Sequence, residues 1–166
     1  MTQRTQTELG SISKQIAIDA PPQLVYDVIS TPAHIAQWWT DDAEFDATPG
    51  ASGTLVWRAR ASTRRDHDYV VQLTIVDAVP GERFSFRWVH PEGETPSVGN
   101  SMLVTFTLAP QGDGTLLTVT EEGMREQGWE AAVLEEYYTS HDEGWTRHLA
   151  NLATYANDLS GSVHHE

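Results

Sequence analysis

The sequence predicts an α+β domain in which a curved antiparallel sheet of six to seven strands wraps a long C-terminal helix. Two observations carry this. Several consecutive segments in the middle of the chain alternate apolar and polar residues with period two, the signature of half-buried strands. From about Trp129 the apolar period becomes helical, with Trp145, Leu149, Leu152 and Ala156 on one stripe. A helix that follows a one-faced sheet must bury that stripe against it.

The elements follow in order. Met1 to Gly10 is polar and reads as a flexible lead-in. From Ser11, Ile12, Lys14, Ile16 and Ile18 share one side of a strand. Asp19-Ala20-Pro21-Pro22 stops it and opens a helix, since proline is tolerated in the first turn. Leu24, Val25, Val28 and Ile29 have helical spacing, and Thr31-Pro32 restarts a second short helix carrying His34, Ile35, Trp38 and Trp39. Strands are then expected over Thr54–Arg60, Tyr69–Val76, Arg83–Val89, Met102–Leu108 and Thr115–Glu121, with turns at Pro80-Gly81 and Gln111–Gly114. Gly123 to Gly128 is the expected bend that carries the chain across the sheet. The domain is bounded at residues 11–159, and the tail at 160–166 is expected to fray.

Composition narrows the function. The 166 residues suffice for one domain with a sizeable core. There is no cysteine, so disulfides, thiolate catalysis and cysteine-ligated zinc are excluded. A formal net charge of −14, from 24 acidic and 10 basic residues, argues against nucleic acid and anionic membrane as partners. The polar N-terminus lacks the apolar core of a secretory signal, and no stretch is long and apolar enough for a membrane helix, so cytoplasmic residence is the default expectation. A homodimer is left open, because no motif specifies or forbids one.

The chain resembles a known family. Ala20-Pro21-Pro22, Val25-Tyr26, Ile29-Ser30, Pro32, Ile35 and Trp38-Trp39 look like the opening of START-like (SRPBCC) proteins, and of the branch related to the activator of the heat shock protein 90 ATPase. Gly53-Thr54-Leu55 with Trp57, Val104-Thr105-Phe106, Leu117-Thr118-Val119-Thr120-Glu121 and Gly144-Trp145 with Leu149 and Leu152 follow in the expected order. The resemblance implies the helix-grip fold of the birch pollen allergen. It does not imply one activity, since the superfamily holds ligand carriers, cyclases, lyases and co-chaperone modules.

Between a gripping sheet and its helices a cavity is expected. Its candidate lining is Trp39, Trp57, Tyr69, Trp88, Met102, Phe106, Glu121 and Trp145, and a small hydrophobic or aromatic molecule is the expected ligand. The tryptophans serve equally as plain core. Glu121 shares a face with Leu117 and Val119 at a strand end. An inward carboxylate there is a general acid or base, a polar anchor, or a partner of a tryptophan N–H. The competing readings are an enzyme of cyclase, dehydratase or hydrolase type, pairing Glu121 with a histidine or with Tyr69 or Tyr138, and a co-chaperone-like interaction module. His67, His90 and His141 are expected at strand ends, loops and the start of the long helix, in exposed polar positions. No histidine pair has the four-residue spacing of a helical metal site, although His141 and His148 lie seven apart on one face. The acidic run Asp41, Asp42, Glu44 and Asp46 lacks the glycine and glutamate of a calcium loop. No nucleophile elbow, phosphate loop or dinucleotide fingerprint is present, and no catalytic residue, metal or cofactor is assigned.

Overall fold

The computed structural model describes residues 11–58, 68–90, 94–97 and 99–164. The lead-in expected before Ser11, together with Arg60, Arg64, Arg65 and His67, lies outside the described residues. The elements run β1 (Ser11–Ile18), α1 (Pro22–Ser30), α2 (Pro32–Trp38), β2 (Asp42–Glu44), β3 (Ser52–Trp57), β4 (Tyr69–Val79), β5 (Arg83–His90), β6 (Met102–Gln111), β7 (Gly114–Glu122) and α3 (Ala131–His164).

The seven strands form one antiparallel sheet in the order β1-β7-β6-β5-β4-β3-β2, with every strand after β2 beside its sequence neighbour. β1 crosses to pair with β7, setting Ile12 opposite Glu121 and Ile16 opposite Leu117. Register shifts between Gln72 and Leu73 and between Ile75 and Asp77 bend β4 against β5. Such bulges increase the local twist and curve the sheet around what it holds.

Local chemistry explains the helical lead. Thr31 has an extended backbone, φ −111° and ψ 121°, and closes α1 while opening α2. The residue before a proline is pushed out of the helical region, so Pro32 forces this break and then starts the next helix. The Trp38 indole N–H donates to the Val28 carbonyl at 3.1 Å and locks the two short helices together.

The concave face holds the core: Phe84, Phe86, Val104, Phe106, Leu117 and Val119 from the sheet meet Val25, Val28 and Ile29 of α1 and Trp145, Leu149, Leu152 and Ala156 of α3. The helix is fastened along its length. Lys14 pairs with Asp142 at 2.9 Å, and the Asp19 backbone N–H donates to Asn157 Oδ1 at 2.9 Å. His34 and Tyr155 share a hydrogen bond of 2.7 Å.

Two expectations change. α3 continues to His164, past Ser160, where the sequence reading ends the domain; each added residue contributes a backbone hydrogen bond to a helix already nucleated. His141 lies ten residues inside α3 rather than at its start, because the apolar stripe begins earlier, at Leu134.

Candidate functional site

β7 ends by delivering Glu121 into the concave side, and Gly123 then turns the chain away at φ 109°. A side chain there would be strained by that φ and would also stand 3.2 Å from the Ser101 carbonyl, so glycine is required. A short 3₁₀ turn over Arg125–Gln127 and Gly128 complete the bend, and α3 returns across the sheet above Glu121.

The Glu121 carboxylate is completely buried and accepts four hydrogen bonds. Oε2 receives the Trp88 indole N–H at 3.0 Å and the Tyr137 hydroxyl at 2.7 Å. Oε1 receives the Trp145 indole N–H at 2.9 Å and lies 2.9 Å from His141 Nδ1. Burial alone would raise its pKa, but the hydrogen bond and charge of His141, with the bonds from Trp145 and Tyr137, outweigh that and hold the carboxyl below its ordinary value. Glu121 is therefore ionised at neutral pH. Burial first, then the neighbouring carboxylate, pushes the Tyr137 hydroxyl far up, so it stays a neutral donor.

An open cleft of about 540 Å³ lies beside this network, between α3, the end of α2 and strands β3 to β5. Trp39 is its centre: its ring centroid lies 5.9 Å from that of Trp57, 5.3 Å from Trp88 and 5.2 Å from Trp145. Trp57 in turn contacts Tyr69 at 5.7 Å. None of these pairs is a flat face-to-face stack; tilted and edge-on arrangements suit the charge distribution of aromatic rings. Asp41, His141, Arg147, His148 and Asn151 place polar groups around the same space. His148 contacts the Trp39 ring at 5.9 Å. Burial, helped by the charge of Arg147 and by His141, lowers its pKa to about 4, so it is neutral at pH 7.

Val89, on the rim, has φ 67°, a left-handed backbone that a β-branched residue adopts only under strain. It sits at the end of β5, where the register of β4 slips. Such strain is held in place by surrounding packing and is concentrated at functional sites.

Of the eight residues expected to line the cavity, the structure brings Trp39, Trp57, Tyr69, Trp88 and Trp145 together on the cleft. Met102 and Phe106 are elsewhere: both are buried in the core, with Phe106 edge-on to the inner side of Trp145 at 5.9 Å. Inward alternation puts a residue on the concave face without deciding whether another side chain already covers it. Glu121 stands behind the wall, tied to three of its members.

His141 corrects the exposed position expected for it, because it is drawn onto Glu121. Tyr137, rather than Tyr138, supplies the hydroxyl. The spacing Tyr137, His141, Trp145 in steps of four was the available signal, since such residues share one helix face. Arg58 belongs to the outer edge, pairing with Asp42 at 3.0 Å and Asp68 at 3.6 Å, while its backbone N–H donates to Asp41. Among the described residues no group of three or more acidic or histidine side chains is placed to hold a metal ion. Among them, too, no helix is long and apolar enough to cross a membrane.

Comparison with known proteins agrees with this architecture. The family model described as "Activator of Hsp90 ATPase homolog 1-like protein" matches residues 19–157. No curated protein matches the sequence. Among solved structures, protein CV1439 from Chromobacterium violaceum is 25% identical with a TM-score of 0.67, over 89% of this chain and 97% of that one. The Aha1 dimer from Colwellia psychrerythraea is 16% identical with a TM-score of 0.67, over 89% and 96%. DynU16, from the dynemicin biosynthetic locus, is 21% identical with a TM-score of 0.63, over 88% of this chain and 46% of that one.

Proposed function

The chain belongs to the family of activator of Hsp90 ATPase homolog 1-like proteins, of START-like fold, and on that premise we propose that its cleft binds a small, flat aromatic molecule bearing at least one polar group. The observation that carries this reading is the convergence of five tryptophans, Trp38, Trp39, Trp57, Trp88 and Trp145, on one space of about 540 Å³. Trp38, Trp39, Trp88 and Trp145 are packed into the core with little exposed surface, while the half-buried Trp57 and the exposed Tyr69 give the aromatic cluster an accessible edge. Cleft volumes of roughly 300–1,000 Å³ with aromatic walls and a few placed polar groups are typical of small-molecule sites. Here His148, neutral at pH 7, together with Asn151 and Asp41 supplies those polar groups.

The test is a tryptophan fluorescence titration with nitrobenzoxazole, a flat aromatic whose nitro group quenches indole emission. Saturable quenching is expected. Replacing the half-buried rim residue Trp57 with alanine removes one aromatic contact, a loss of about 0.5–1.5 kcal/mol, and weakens binding roughly twofold to tenfold. Quenching that never saturates and is the same in wild type and Trp57→Ala is collisional and counts against the reading.

A further inference from the structure

We propose that the cleft is also a site of proton transfer, with His141 as general base and Glu121 as the residue that positions it, acting on flat aromatic molecules that carry an acidic C–H or O–H. This rests on the reading of the cleft as an aromatic-binding site.

The geometry makes the assignment. Glu121 cannot be the base: it has no exposed surface, and four donors already occupy its oxygens. An ionised carboxylate accepts only, so the His141 nitrogen 2.9 Å from it must carry the hydrogen. In the neutral ring this fixes the tautomer with the proton on Nδ1 and the lone pair on Nε2, at the far side of the ring, where the imidazolium would carry its second proton. Among the described residues Nε2 has no hydrogen-bond partner. The ring is about a quarter exposed and lines the cleft. It is held by Tyr137, stacked at 3.7 Å and 19°, and by the edge of Trp88 at 5.8 Å. Base, orienting carboxylate and aromatic platform thus stand together, as general-base catalysis requires. The charged and titratable groups around the imidazole are Glu121 on β7, Tyr137, Arg147 and His148 on α3, Asp41 before β2 and Tyr69 on β4.

Nitrobenzisoxazole tests the step directly. Nε2 takes the proton from the ring carbon next to nitrogen, and that C–H electron pair completes a carbon–nitrogen triple bond. The N–O bond breaks with its electrons on oxygen, giving a coloured nitrophenolate. The imidazolium, countered by Glu121, then releases its proton to water.

The full chain is expected to exceed the same concentration of free imidazole by about 100-fold or more, and His141→Gln to lose about 100-fold, within the usual range for a positioned base. Nitrobenzoxazole, which has no ring N–O bond to break, is expected to bind the wild-type chain saturably without being turned over. In wild type the kcat/KM profile rises with pH as one imidazole ionisation. In Glu121→Gln kcat falls at least tenfold while KM stays within about twofold, and Glu121→Asp recovers part of kcat; a merely structural Glu121 would lower the amount of folded protein without changing kcat per folded molecule. Saturable nitrobenzoxazole binding with a rate no better than imidazole, a His141→Gln rate equal to wild type, or a wild-type profile flat between about pH 5 and 9 overturns the proton-transfer assignment and leaves the binding site standing. Absence of nitrobenzoxazole binding in wild type overturns both. The wild-type profile decides the matter even where a variant does not fold.

Discussion

Glu121→Gln probes the network at its centre. Glutamine has the same shape, but its amide presents two donors where the carboxylate presents acceptors. Four donors converge on Glu121, from Trp88, Tyr137, His141 and Trp145. The amide oxygen can serve two of them. The other two then face an N–H group; in either orientation one of them is a buried indole, which can only donate, while the other, the Tyr137 hydroxyl or the His141 ring nitrogen, can accept instead. Hydrogen bonds to a charged group contribute roughly 1.5–3 kcal/mol each and those to a neutral group about half as much, so losing the indole bond and weakening the other three costs about 3–6 kcal/mol. Removing one partner of a buried ionic pair gives a similar figure, about 3–5 kcal/mol. Domains of this size are stable by roughly 5–15 kcal/mol, so the loss takes a large share. The assay is urea unfolding followed by circular dichroism in wild type and variant at pH 7. With a slope of about 1–3 kcal/mol per molar urea, the midpoint should fall by roughly 1 M or more. A change below about 1 kcal/mol would refute the claim that the carboxylate is ionised and fully engaged.

Three further outcomes follow from the same geometry. His148 has a folded pKa lowered from 6.5 to about 4. The unfolded chain therefore binds the extra proton between those values, and the stabilisation is complete above 6.5 and is lost as pH falls toward 4. The full shift corresponds to about 3 kcal/mol, and residual solvent contact reduces it to about 1–2 kcal/mol. Urea midpoints measured across that window should rise with pH in wild type and rise less in His148→Gln. Gly144 lies within α3 on the cleft wall, where an added Cβ meets the His148 ring at an ordinary 3.6 Å. Gly144→Ala should therefore raise stability by about 0.5–1 kcal/mol, read by thermal unfolding, while weakening nitrobenzoxazole binding as the cleft narrows. Phe84, with no exposed surface, touches no part of the cleft, so Phe84→Ala should cost about 3–5 kcal/mol in urea unfolding.

The fold was legible because its chemistry is local. Alternation in Arg83–Val89 and Met102–Leu108 marks strands whose one face is buried, and Thr31-Pro32 marks a helix break by a steric rule. The site was legible in part, since Trp39, Trp57, Trp88 and Trp145 are large apolar residues on faces that the periodicity identifies. What remained hidden depends on helix rotation and on coverage. Tyr137 and Tyr138 are one residue and about 100° apart on α3, and only the finished packing decides which meets Glu121. Met102 and Phe106 share the alternation of the wall residues, but both are fully buried, with Phe106 covered by Trp145 of the helix. The strained Val89 has no sequence signal, because the slip in β4 register that accompanies it is a property of two strands together.

The central claim is that the tryptophan cleft receives an aromatic ligand, and heteronuclear NMR of the six indole N–H groups tests it most directly. Trp39 and Trp57 face the cleft, Trp88 and Trp145 line it while donating to Glu121, Trp38 lines it while donating to Val28, and Trp129 packs at a tilt on Tyr137 outside it. Addition of nitrobenzoxazole should move the Trp39 and Trp57 signals most, Trp88 and Trp145 less, and leave Trp129 in place. Indole signals that do not move, or a shift confined to Trp129, would contradict the account.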